Sequence, residues 1–256
     1  MKIAICGKGG CGKSSITALL AQYLAGRDFH VLVVDADESN MGLHRLLGME
    51  PPVVLLDHLG GKKAFKQKIN QKFPPPADAL FGEKIALSGL PPECVSTAGN
   101  IRLMAVGKIH DAGEGCACSI GVLSKMVLSK LDLQDKDIVL IDTEAGVEHF
   151  GRNVDAECDI VLDVVDPAYE SFLLSKKIEE MAEGLDADIF FILNKADSRS
   201  RSVMESHIDQ ARIIAVIPPN DMLFADSLEG KPLTTAIPEI VPVGEMVINR
   251  LSRSHL

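Results

Sequence analysis

The chain of 256 residues is 46% hydrophobic and carries a formal net charge of −10. That composition supplies one full core without calling for a second domain, and its acidity excludes a broad cationic face for nucleic acid or anionic lipid. No stretch reaches the length of a bilayer span and the first apolar run, residues 3–6, is too short for a signal segment, so a cytoplasmic protein with no nucleic-acid partner and no stable membrane association is expected.

In chain order, "KIAIC" at 2–6 is the first of seven short, nearly continuous apolar runs. The others are "VLVVD" at 31–35, "IRLMAVG" at 101–107, "DIVLID" at 137–142, "DIVLDVV" at 159–165, "DIFFILN" at 188–194 and "IIAVIP" at 213–218. Runs that do not alternate read as strands covered on both faces, as in a parallel sheet. Helical patterns lie between them: 14–26, with Ile16, Leu19, Leu20 and Leu24 at helical spacing and a stop at Gly26, then 119–131 and 169–184. Alternating strand and helix requires crossover connections and predicts a doubly wound, mostly parallel α/β sheet flanked by helices. The whole of 1–256 reads as a single domain, with the stretch 51–100, rich in proline and glycine, as an insertion on its rim. The tail "VGEMVINRLSRSHL" is mildly amphipathic through Val243, Met246, Val247 and Leu251; its small apolar face suits packing on the core better than a membrane surface.

The first loop carries the chemistry. "GKGGCGKS" at 7–14 fits G-x-x-x-x-G-K-[ST] between a strand and a helix, the context of a P-loop nucleotide hydrolase. Gly7, Lys8, Gly9, Gly10, Cys11 and Gly12 would turn backbone N–H groups around a phosphate, and the helix start at Ser14 and Ser15 adds its dipole. Lys13 would reach the β- and γ-phosphates and the Ser14 hydroxyl would ligate Mg²⁺. Asp35 and Asp37 in "VVDADESN", and Asp142 in "VLIDTEAG", stand at strand ends where such sheets bind ligands. Asp35 and Asp142 are candidate Mg²⁺ ligands, although an acidic residue after a strand also serves as a helix cap. Asn194 in "FILNKAD" would offer an amide to a purine edge, and Pro218 in "IPPND" follows the last strand into the same site.

Its two lysines give "KGGCGKSS" a further identity: it resembles the deviant Walker A motif of the dimeric MinD, ParA and nitrogenase iron protein class of ATPases. The resemblance spans nearly the whole chain, except that 51–100 matches no motif. It implies a homodimer in which Lys8 reaches the partner's nucleotide while Lys13 serves its own, Asp37 orients the hydrolytic water, Asp142 belongs to a second switch, and Asn194 contacts adenine. "NKAD" also fits the guanine motif through Asp197, so GTP stays open; the second lysine favours ATP.

"GEGCACSIG" at 113–121 sets Cys116 and Cys118 in a loop before a predicted helix. Soft thiolates suit Zn²⁺, Ni²⁺ or iron–sulfur sites. Two ligands fill half of a tetrahedral shell, which a symmetric dimer completes; the alternative is a pair of inert, partly buried thiols. His110 reads as a solvated loop histidine or an accessory ligand. The pair resembles that of the CooC-type nickel-insertion ATPases of carbon monoxide dehydrogenase maturation. That likeness implies Ni²⁺ or Zn²⁺ bridging the dimer, ATP hydrolysis coupled to nickel delivery, and a nickel carbon monoxide dehydrogenase as client. A MinD-like positioning switch is the alternative, together with an iron–sulfur carrier or electron donor. The last is disfavoured because "DTEAGVEHF" lacks the cysteine that the nitrogenase iron protein carries after its second switch.

Overall fold

All seven predicted runs are strands of one sheet. The protein, seen in a computed structural model, is described over residues 1–69, 83–108, 118–147, 157–182, 184 and 187–253. The strands are β1 (Lys2–Gly7), β2 (His30–Asp35), β3 (Ser96–Ala98), β4 (Ile101–Ala105), β5 (Asp137–Asp142), β6 (Ile160–Val165), β7 (Asp188–Asn194) and β8 (Ile213–Ile217). Their order is β3-β4-β2-β5-β1-β6-β7-β8. Every pairing is parallel except the β3–β4 edge. β3 is the one strand among the described residues that the apolar pattern did not predict. It is a three-residue polar run, "STA", paired with β4 through a turn at Gly99, whose φ is +57°.

Successive residues of each central strand enter opposite cores, as the strand period of two demands. Ala4, Cys6, Leu32 and Val34 face one layer, where α5 (Cys118–Lys130) brings Leu123 and Val127 and α6 (Tyr169–Ala182) brings Phe172 and Ile178. Ile3, Ile5, Val31 and Val33 face the other, where α1 (Lys13–Ala25) and the terminal helix α9 (Val241–Arg253) lie. The apolar side of α9 is in that core: Val243, Val247 and Leu251 are buried, and Gly244 lies so close to the Tyr23 ring that a Cβ would collide with it.

Inside 51–100 the described residues do more than edge the sheet. Two short helices, α3 (Leu55–His58) and α4 (Gly61–Ile69), follow α2 (Leu43–Leu46), and Leu55, Leu56, Phe65, Leu87, Leu90 and Cys94 are buried in the first core. Sequence periodicity missed these elements because each is too short to show a repeat. Phe65 is the apolar anchor of an otherwise lysine-rich helix, "GKKAFKQKI", and is 0% exposed. Phe65→Ala is therefore expected to lower stability by about 3–5 kcal/mol, read as a shifted urea midpoint with an unchanged slope.

Candidate active site

The carboxyl ends of the parallel strands open onto a cleft of about 880 Å³, the place where such sheets take ligands. Of the residues expected there, Gly9, Gly10, Gly12, Lys13, Ser14, Ser15, Asp37, Asn194 and Pro218 line it. The phosphate loop enters α1 through Gly12, left-handed at φ +107°, where a Cβ would strike the Asn194 amide. Only glycine serves there. Cys11 lies beneath the loop, fully buried, with its thiol pushed up to about 12 by burial. It stays protonated and unreactive, so its contribution is its backbone.

A polar node joins three segments at the loop's end. The Ser14 hydroxyl donates to Asp142 Oδ2 at 2.7 Å, and Asn40 Nδ2 donates to both, at 3.0 Å each. Thr17 Oγ1 lies 3.5 Å from Asp142 Oδ1. Asp142 is completely buried, and desolvation raises its carboxyl to about 6 against the Ser14 hydrogen bond and the Lys13 charge. A carboxylate and a hydroxyl meeting at one point form a hard oxygen donor set that fits Mg²⁺. Asn40 had no assigned role in the sequence reading; it sits in "ESN", within the segment that already held Asp35 and Asp37.

Asp35 does not join that node. Lys108 Nζ pairs with its Oδ2 at 2.7 Å, and its Oδ1 is buried without a hydrogen-bond partner. Burial raises the Asp35 carboxyl to about 7, with Lys108 opposing and Asp142 and Asp37 reinforcing the rise. Expected as a magnesium ligand, Asp35 is held instead by a lysine that directly follows the β4 run. A cation at the carboxyl end of a parallel strand was the available signal for Lys108, and it was missed. Asp37 is half-exposed, with Oδ1 accepting from Ser39 N at 2.9 Å and Ser39 Oγ at 2.7 Å.

The two loop lysines point to different places. Lys13 is 7% exposed and folds back on the Gly7 and Lys8 carbonyls at 3.2 and 3.3 Å. Lys8 is no part of the cleft lining; its ammonium stands 3.9 Å from Asp166 Oδ2, beyond the end of β6. A contact that long and partly solvated contributes at most about 1 kcal/mol, so Lys8 can exchange Asp166 for another anion at little cost.

At the end of β7, Asn194 Nδ2 donates to Cys11 O at 2.7 Å and Lys195 Nζ to Gly10 O at 2.6 Å. Both tie β7 to the phosphate loop, and Lys195 adopts φ +58° to do so. Asp197, the residue that would read guanine, faces a different task. Its Oδ1 accepts from Arg199 N, Ser200 N and Ser200 Oγ at 3.0, 2.7 and 2.7 Å, ahead of α7 (Ser200–His207), and it does not line the cleft. After β8, Asn220 caps α8 (Asp221–Glu229) with bonds from Met222 N and Leu223 N, and Leu223 and Phe224 form an apolar cleft wall. Cys118 is the first residue of α5, not a loop residue, a displacement of the size usual at helix starts. Cys116 and His110 lie outside the described residues.

The family follows from the whole chain. The CobQ/CobB/MinD/ParA nucleotide binding domain family matches residues 2–233. The chain belongs to that family. Within it, an uncharacterized ATP-binding protein of Methanocaldococcus jannaschii is 47% identical over 96% of this chain and 99% of its own length. The carbon monoxide dehydrogenase accessory protein CooC of Rhodospirillum rubrum is 30% identical over 77% of this chain and 80% of its own. Among solved structures, the septum site-determining protein MinD from Pyrococcus horikoshii, complexed with Mg-ADP, superposes with a TM-score of 0.69 at 20% identity, over 96% of this chain and 95% of that one. That likeness shows the MinD/ParA fold.

One buried acid in this family member lies off the cleft. Asp163 on β6 is 1% exposed, and neither carboxylate oxygen completes a hydrogen bond. Burial raises it to about 7 from 3.8, against the nearby Ser175 hydroxyl and the Lys13 charge. The folded state thus holds this proton more tightly than the unfolded chain, so stability is highest below about pH 4 for this group and declines as pH rises towards 7. Asp163→Asn is expected to flatten that decline and to exceed the wild type by roughly 1–2 kcal/mol at pH 8, measured by urea unfolding across the range.

Proposed function

We propose that the protein is a homodimeric, Mg²⁺-dependent ATPase metallochaperone that couples ATP binding and hydrolysis to nickel insertion during maturation of a carbon monoxide dehydrogenase. One observation carries the ATPase part: the Ser14–Asp142 contact of 2.7 Å at the end of a phosphate loop that lines the cleft. The cargo rests on the likeness to CooC and on the spacing of Cys116 and Cys118. Among the described residues, no group of three His, Cys, Asp or Glu is placed to hold a metal ion, and two thiols from each of two subunits would supply four ligands instead.

The residues divide the work. Loop N–H groups and the α1 N-terminus receive the phosphates, and Lys13 leaves the Gly7 and Lys8 carbonyls for the β- and γ-oxygens. Ser14 and Asp142 hold Mg²⁺, which when bound offsets phosphate charge. Asp37 orients the attacking water. Lys8 of each subunit, held only loosely by Asp166, turns to the triphosphate across the two-fold axis and neutralises charge that develops during transfer. Hydrolysis then waits on dimer closure.

Lys8→Ala is expected to keep ATP affinity within a few-fold while losing hydrolysis and ATP-induced dimerisation by sizing; wild-type turnover would remove its role in trans. Lys13→Ala should lose ATP affinity itself. Anaerobic purification with metal analysis should find about one divalent ion per dimer. The double substitution Cys116→Ser, Cys118→Ser should abolish that metal and spare nucleotide binding. A chain that remains monomeric with ATP analogue and nickel or zinc present would sink the proposal.

A further inference from the structure

Lys108 is a buried cation with two tasks at one atom. Its ammonium donates to Asp35 Oδ2 at 2.7 Å and to the Asp37 carbonyl at 2.5 Å, and the side chain is 7% exposed. It follows β4, which runs parallel to β2 with Ala105 opposite Asp35, and Val106 N reaches Asp35 O at 3.0 Å. Where the backbone ladder between the two strands stops, the Lys108 side chain continues the connection to residue 37.

The surroundings give that bond weight. Asp37 has left the sheet, and its carboxylate is turned by Ser39; among the described hydrogen bonds, its carbonyl accepts from Lys108 and from Asn40 N at 3.3 Å. Asp142 and Asp37 act on the buried Asp35 carboxyl as like charges, and Lys108 is the cation that opposes them. The second Asp35 oxygen has no hydrogen-bond partner to substitute.

We propose that Lys108 is the positioning residue for Asp37: it anchors the backbone at residue 37 so that the Asp37 carboxylate faces the attacking water. Lys108 does not line the cleft and acts through the 37 carbonyl. The inference rests on the ATPase reading above.

The test compares wild type, Lys108→Met, Lys108→Arg and the double variant Asp35→Asn, Lys108→Met by steady-state ATP hydrolysis, equilibrium binding of a fluorescent ATP analogue and thermal unfolding. Lys108→Met should keep KM and analogue affinity within about threefold and lower kcat by about 10- to 100-fold, the effect of a small misplacement of a reacting group. Lys108→Arg should recover part of that loss. The double variant removes the unpaired charge and should regain thermal stability while remaining slow. Recovery of wild-type kcat by the double variant would mean that Lys108 only neutralises Asp35, and would overturn the proposal. Loss of analogue binding in both Met variants would make it a folding residue, with the same consequence. Absence of hydrolysis in the wild type, with analogue binding intact, would overturn the ATPase reading first.

Discussion

Parallel pairing of β1 with β5, which sets Ile5 opposite Asp142, is the constraint on which the site depends. Strand β1 ends in the phosphate loop and β5 ends in an acid, so their common direction delivers both to one edge of the sheet. Ser14, two residues past the left-handed Gly12, then falls within a hydrogen bond of that acid. A shift of one residue in this register would move Asp142 to the other face of the sheet and away from Ser14.

Around that junction the protein gathers acidic side chains beside the phosphate loop. Asp35 and Asp142 are raised by burial to about 7 and about 6, and the cations nearby are each engaged: Lys13 by loop carbonyls, Lys108 by Asp35, Lys195 by Gly10. Mg²⁺ and a nucleotide would re-sort these contacts. Lys13 and Lys8 hold weak or long interactions and can be redirected, whereas Lys108 is buried in a short one and serves as a fixed point. A site built from movable and immovable cations has the parts of a switch.

The relatives define the chain's place in its family. Fold likeness to MinD says nothing by itself of membrane attachment, and here the apolar face of α9 is committed to the core beside α1. No helix among the described residues is long and apolar enough to cross a membrane. Asp197 Oδ1 accepts three hydrogen bonds at the start of α7 and the residue does not line the cleft, so the guanine-like spelling of "NKAD" is not matched by a carboxylate in the cleft wall.

Sequence by itself determined the seven apolar strands, three of the four long helices among the described residues and the phosphate loop, because each leaves a local mark: continuous β-branched runs, helical spacing, and glycines before a lysine and serine. It also marked the carboxyl ends of strands as the place for acids. Tertiary structure alone decided which acid faces which cation. Asp35 and Asp142 look alike in sequence, yet one meets Lys108 and the other Ser14 and Asn40, since those partners come from segments 73, 128 and 102 residues away. Lys8 and Lys13 share one loop and the motif gives them different tasks; the structure adds where each side chain goes, Lys13 into the cleft lining and Lys8 towards Asp166. Interactions between distant segments depend on strand order and register, which no local pattern records.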